Sequence, residues 1–180
     1  MTPYHRLVPA TLSVIDAGLV RLRPARPDDA EALLAILAEP GVRRWCPNDA
    51  GAVERLAAPA PDDEALLAIE VDGDVVGAVL VGEGRDPARP HGTLRVFIAS
   101  RWQKRGVGTR ALRAVARHLV DVVGHHRVVA EPAAENGAAI RTFGAVGFRP
   151  VGVLRRSERG ETGGFRDGLL MELIAAELTR

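Results

Sequence analysis

Gln103-Lys104-Arg105-Gly106-Val107-Gly108 joins a strand-like apolar stretch, Leu94-Arg95-Val96-Phe97-Ile98-Ala99, to a helical pattern from Thr109 to Val123. A glycine-rich turn that opens a helix suits a phosphate. The N–H groups of a first helical turn have no partner within the helix, and the dipole places partial positive charge there. Glycines at 106 and 108 remove the Cβ atoms that would keep an anion at a distance. Lys104, Arg105 and Arg110 add charge around the same turn. The same pattern also fits a tight helix start with no ligand. A dinucleotide fingerprint lacks its third glycine here, and a P-loop lacks its closing Gly-Lys-Ser/Thr.

Outside this turn, composition sets bounds. The 180 residues suit one domain, and 47% hydrophobic residues support a core. Aromatics supply only 4%, so that core is aliphatic. A formal net charge of +1 argues against a nucleic-acid or anionic-membrane partner. The single cysteine, Cys46, excludes an internal disulfide framework and reads as an ordinary small core or loop residue. The opening Met-Thr-Pro-Tyr-His-Arg has no continuous apolar h-region, and no apolar run reaches membrane-spanning length. A cytoplasmic location is expected.

Residues 1 to 18 show no clear period and read as a loosely held arm, with a single domain over 19–180. Leu19 to Pro24 alternates like a first strand. Pro27-Asp28-Asp29 opens a helix with an apolar face of Leu33, Leu34 and Leu37, ended by Pro40-Gly41. A second helix is expected at about 49 to 57. Asp72-Gly73 between Ala65–Val71 and Asp74–Val81 is a strong hairpin signal, because both turn residues tolerate positive φ. Leu112, Val115, Leu119 and Val122 form the apolar face of the long helix, which Gly124 stops. His126 to Ala130 is a short strand. Asn136 is a plausible N-cap for a helix bearing Ala139, Ile140, Phe143 and Val146, with Gly147 beyond its end. Phe148–Leu154 and Gly168–Ile174 read as the last strands. The order β-α-α-β-β-β-α-β-α-β-β is of α+β type with a largely antiparallel sheet.

Three segments carry a family resemblance: VRLRPARPDDAEALLAIL, WQKRGVGTRALRAV and HHRVVAEPAAENGAAIRTFGAVGFRPVGVLRR. Over about 19 to 176 the chain resembles the GNAT family of N-acetyltransferases, whose Gln/Arg-x-x-Gly-x-Gly/Ala signature matches QKRGVG. The tail DGLLMELIAAEL, with AEPAAENGAAI, resembles the aminoglycoside 6′-N-acetyltransferase branch most, while ribosomal-protein N-terminal acetyltransferases share many of these segments. The resemblance implies a mixed twisted sheet of about six to seven strands flanked by about four helices, and acetyl-CoA as cosubstrate without a metal. It implies that Val96, Phe97 and Ile98 pair with the pantetheine amides. The turn Gln103, Lys104, Arg105, Gly106, Val107, Gly108 and Thr109 would take the pyrophosphate. Asn136 would lie near the pantetheine arm, or serve as a plain helix cap, or both.

Two positions depart from the family pattern. Arg95 stands where the aminoglycoside branch commonly carries an aspartate base, and an arginine stays charged at any accessible pH. Phe143 stands where many members carry a tyrosine beside the cofactor that protonates the leaving thiolate. Glu131, at the end of the short strand, becomes the leading candidate for the base and for an amine contact. Glu83, Asp86 and His91 are weaker candidates, and His125-His126 reads as a polar connection. Trp45, in Arg43-Arg44-Trp45-Cys46, is a candidate acceptor contact or a core cap. Trp102 is read as packing the phosphate turn. No His, Cys or carboxylate grouping has metal-ligand spacing. The expected acceptor is a small primary amine, aminoglycoside-like in the finer reading. Rival readings are a peptide N-terminal acetyltransferase and a weakly catalytic CoA-binding protein. A homodimer is compatible with such a chain.

Overall fold

Asp72-Gly73 closes the central hairpin with φ values of 53° and 88°. The computed structural model describes residues 12–47, 49–57, 64–84, 86 and 88–178. Among the described residues eight strands occur: β1 Ile15–Ala17, β2 Val20–Pro24, β3 Glu64–Val71, β4 Asp74–Glu83, β5 Gly92–Ile98, β6 Arg127–Ala130, β7 Arg149–Arg159 and β8 Phe165–Ile174. Five helices accompany them: α1 Ala30–Ala38, α2 Pro40–Arg43, α3 Ala50–Glu54, α4 Val107–Asp121 and α5 Gly137–Val146. The sheet order is β1-β2-β3-β4-β5-β6-β8-β7, and only β5 and β6 run parallel among the described residues. This α+β architecture agrees with the expected fold and exceeds the expected strand number by one or two.

Helices cover both faces of the sheet. α4 and α5 bury Leu112, Val115, Leu119 and Phe143 against Leu67, Ile69, Leu94 and Val128 on one face. α1, α2 and α3 bury Leu33, Leu37, Val42 and Val53 against Ala78 and Phe97 on the other. β4, covered on both sides, is buried at seven consecutive residues, from Val76 to Gly82. That explains its unbroken apolar run.

Several sequence expectations shift. β1 lies inside the stretch read as a loose arm. It pairs with β2 through a turn at Gly18 (φ 73°), and Leu12 ahead of it is 2% exposed. Residues 1–11 of that arm lie outside the described residues. The second helix forms as α3 with a 3-10 turn at Arg55–Ala57 after it, α2 is an added short helix at the Pro40-Gly41 stop of the first, and β7 and β8 each run several residues past their expected limits. The acids at the start of α1 do more than oppose a dipole. Asp29, 7% exposed, accepts two bonds from Arg23, at 2.7 and 2.8 Å, and one from the Arg26 N–H at 2.7 Å. Those bonds to Arg23 hold the Asp29 carboxyl below its ordinary pKa.

Candidate active site

The ladder between β5 and β6 is short. β5 pairs with β4 from Gly92 to Ile98, but with β6 only at Gly92 and Thr93. After Ala130 the chain turns toward β8 instead. The Pro132 carbonyl accepts from Leu169 N–H, and Ala134 N–H donates to the Asp167 carbonyl. From Leu94 onward, therefore, β5 has an edge without a neighbouring strand among the described residues. Val96, Phe97 and Ile98 on that segment line a cavity of about 400 Å³.

The end of the cavity beside β5 is the turn read first in the sequence. Lys104 (φ 59°) and Gly106 (φ 77°) both adopt the left-handed conformation, which tightens the chain into α4. Gly106 is the N-cap and makes no side-chain cap, so the first N–H groups of a 15-residue helix stay uncapped. Gln103, Lys104, Gly106, Gly108 and Thr109 line the cavity. The Gln103 side chain is committed to structure, donating to the Ile98 carbonyl at 3.0 Å and tying the turn to β5. Arg105 turns back over the Trp102 ring at 5.3 Å, and Val107 is 1% exposed in the core. Neither side chain lines the cavity.

Gly106 and Gly108 differ. A Cβ at Gly108 would meet Thr142 Cγ2 at 3.6 Å and Ile98 Cγ1 at 3.7 Å, ordinary contacts. Packing therefore does not demand a glycine there, whereas backbone angle does at Gly106. Trp102, a cavity residue, has a buried indole N–H with no hydrogen-bond partner among the described residues. An uncapped helix start, an omitted Cβ and an orphaned donor converge on one cavity, which fits a phosphate-bearing ligand.

The opposite wall comes from α5. Asn136 caps it, its Oδ1 accepting from Ala139 N–H at 3.1 Å, and it also lines the cavity. Ala138, Ala139, Arg141 and Thr142 continue the wall. Helical spacing from Asn136 was the signal for them. Phe143 is placed differently from its sequence assignment. It is 3% exposed, edge-to-face with Phe148 at 5.2 Å, and faces the core rather than the cavity.

Gly41, Val42, Trp45 and Cys46 close the cavity from the α2 side. This segment is clamped from β8: Arg166 donates to the carbonyls of Arg44 (2.7 Å) and Trp45 (3.1 Å) and to Glu158 (2.9 Å). Arg44 and Arg166 lie 4.6 and 5.7 Å from the Trp45 ring centroid. Burial, reinforced by Asp49, pushes the Cys46 thiol well above its ordinary pKa. It therefore stays protonated and is not a nucleophile at neutral pH. No Asp or Glu lines the cavity among the described residues. Glu131 is exposed just beyond β6, two residues past the last β5–β6 pair, and is not part of the lining.

Arg95 reaches from β5 to Asp49, ahead of α3, at 2.8 Å. Sequence reading missed Asp49, whose partner lies 46 positions away. At the far end of β5, Glu83 and His125 pair at 3.2 Å with both side chains buried. Among the described residues no group of His, Cys, Asp and Glu is arranged to hold a metal. No helix among the described residues is long and apolar enough to cross a membrane.

Residues 20–149 match the model of the acetyltransferase (GNAT) domain. This chain belongs to the GNAT acetyltransferases. It is an acetyl-CoA-dependent N-acetyltransferase, consistent with the phosphate-fitting cavity. The enzyme is 30% identical over 135 residues to the Escherichia coli (strain K12) L-amino acid N-acetyltransferase AaaT, covering 71% of this chain and 81% of that protein. It resembles Mycobacterium smegmatis RimJ, solved in complex with CoA-disulfide, with a TM-score of 0.77 and 28% identity over 94% of this chain and 88% of that one. The Vibrio fischeri ribosomal-protein-S5-alanine acetyltransferase shares the fold at a TM-score of 0.75 and 15% identity, over 93% and 99% of the two chains.

Proposed function

We propose that the enzyme acetylates a small primary amine by direct attack on acetyl-CoA within a ternary complex. The observation that carries this reading is the single cavity into which both the uncapped α4 start and the unpaired edge of β5 open. Backbone N–H groups from Val107 to Thr109 would take the pyrophosphate, with Lys104 and Arg141 adding charge. The open backbone of Val96 to Ile98 would hold the pantetheine and polarise the thioester carbonyl. Acetyl-CoA supplies an activated acetyl group and a thiolate leaving group. A protonated Cys46 argues against transfer through an acetyl-cysteine.

The amine must shed a proton. Glu131, near the split between β5 and β6, is proposed to receive it through water. The acid-free lining speaks against a polycationic acceptor such as an aminoglycoside, which needs carboxylates to replace its hydration. A peptide N-terminus is the second reading, suggested by the fold shared with the ribosomal-protein-S5-alanine acetyltransferase. Thiol release from acetyl-CoA with amino acids, aminoglycosides and N-terminal peptides as acceptors tests the proposal. Turnover of peptides alone would replace it with the second reading. Glu131→Gln is expected to lower kcat about a hundredfold, the scale of a lost general base, with the acetyl-CoA Kd unchanged. An unchanged kcat would assign the proton to solvent.

A further inference from the structure

We infer that Arg95 selects acceptors that carry a carboxylate beside the reacting amine, which makes the free α-amino acid the substrate class. The inference rests on the small-amine reading above. Arg95 immediately precedes Val96 and Phe97, which line the cavity on the open part of β5. One of its nitrogens is bound by Asp49 at 2.8 Å. Asp49 is tied in turn to Cys46, part of the cavity wall, its backbone N–H donating to the Cys46 carbonyl at 3.4 Å. The guanidinium is thus held two contacts from the wall.

The two partners are buried unequally. The Asp49 side chain is 9% exposed and that of Arg95 is 51% exposed. The carboxylate is spent inside the protein, while about half of the arginine side chain faces solvent. A guanidinium has five N–H donors in a planar fork, and a contact to one nitrogen leaves an edge able to grip a carboxylate in a bidentate manner. Its orientation is already fixed by Asp49, so little entropy is lost on binding. The other arginines around the α2 segment have different duties. Arg43 pairs with Glu161 at 2.7 Å, and Arg166 is held by Glu158 and two carbonyls. Arg44, 4.0 Å from Glu135 and stacked on Trp45, is a looser second cation. Arg95 then offers an amino acid a site for its carboxylate beside a lining that, among the described residues, holds no acid to retain its amine as a cation.

The test compares an amino acid, its carboxamide and the matching decarboxylated amine as acceptors, by thiol release, in wild type, Arg95→Lys, Arg95→Gln and the double variant Arg95→Gln/Asp49→Asn. The double variant removes both charges, so no buried carboxylate is left unpaired. The wild type is expected to prefer the acid over the amide by about 50-fold in kcat/KM, the scale of a charge-assisted pair. The glutamine variants should lose that preference while keeping amide turnover and acetyl-CoA affinity, and Arg95→Lys should retain part of it. Equal use of acid and amide by the wild type overturns the inference. So does a preference that survives in the double variant. If no amine is turned over, the functional reading fails separately. Titration of the N-acetylated amino acid into the CoA-loaded protein still decides here: binding abolished in the double variant upholds the carboxylate site, and unchanged or absent binding in wild type overturns it.

Discussion

Gly106 and Gly108 should respond to alanine in opposite ways. At Gly108 the new methyl meets Thr142 and Ile98 at 3.6 and 3.7 Å, contacts a folded protein makes everywhere. The residue is helical, so alanine gains up to about 1 kcal/mol of helix propensity, less so close to the N-terminus. At Gly106 the φ of 77° must be kept, which costs an alanine about 1–2 kcal/mol, and the Arg110 guanidinium 2.6 Å away must also swing aside. Gly108→Ala is therefore expected to be as stable as wild type or slightly more so, and Gly106→Ala to be less stable. Ligand binding reverses the order of merit for Gly108. Its methyl would enter the cavity beside the first N–H groups of α4, displacing a phosphate oxygen from one or more of them. A charge-assisted bond contributes about 1.5–3 kcal/mol, so Kd for acetyl-CoA should rise roughly tenfold to 150-fold. Urea unfolding and calorimetry on the same preparations read both quantities. A stable Gly108→Ala protein with wild-type affinity would show that the pyrophosphate does not lie at this turn. A destabilised one would show that the glycine is there for packing.

Gly77 on β4 faces the same strand from its other side: a Cβ there would sit 2.2 Å from the Phe97 carbonyl oxygen. Gly77→Ala must push β5 away and is expected to cost about 1–3 kcal/mol in urea unfolding and to depress kcat, through displacement of Phe97 and Ile98. Phe143→Tyr would bury a hydroxyl beside Phe148 and away from the cavity, costing about 1–3 kcal/mol without raising turnover. Faster single-turnover acetylation in that variant would place residue 143 at the reacting sulfur after all. Burial lowers the His125 pKa below the ordinary imidazole value, although Glu83 pulls it upward. The unfolded chain then binds the proton more readily than the native state, so this contribution to stability is intact above about pH 6.5 and declines as pH falls below it. Urea midpoints measured from pH 8 to 5 should drop less for His125→Gln than for wild type. An equal drop would remove His125 from the acid response.

What the sequence by itself determined is what depends on near neighbours. The Asp72-Gly73 turn, the Asn136 cap, Gly147 in the left-handed conformation (φ 119°) and the left-handed Gly106 are each decided within about four residues. Backbone sterics and short-range hydrogen bonds act at that range, so the residue types announce the geometry. The alternating and helical periods likewise mark which face of each element is buried.

Tertiary structure decided whatever depends on a distant segment. The sequence 92–98 reads as one strand throughout, yet its partner β6 departs after two residue pairs because Pro132 and Ala134 are engaged by β8. Arg95 in sequence is a missing base. In space it is a guanidinium oriented by Asp49, a carboxylate brought in from ahead of α3. Phe143 was expected from the resemblance to lie beside the cofactor, but packing against Phe148 turns its ring into the core, while Thr142 next to it lines the cavity. A turn's geometry is written in its own residues. The direction a side chain faces, and the charge it meets there, are set by whichever remote element arrives beside it.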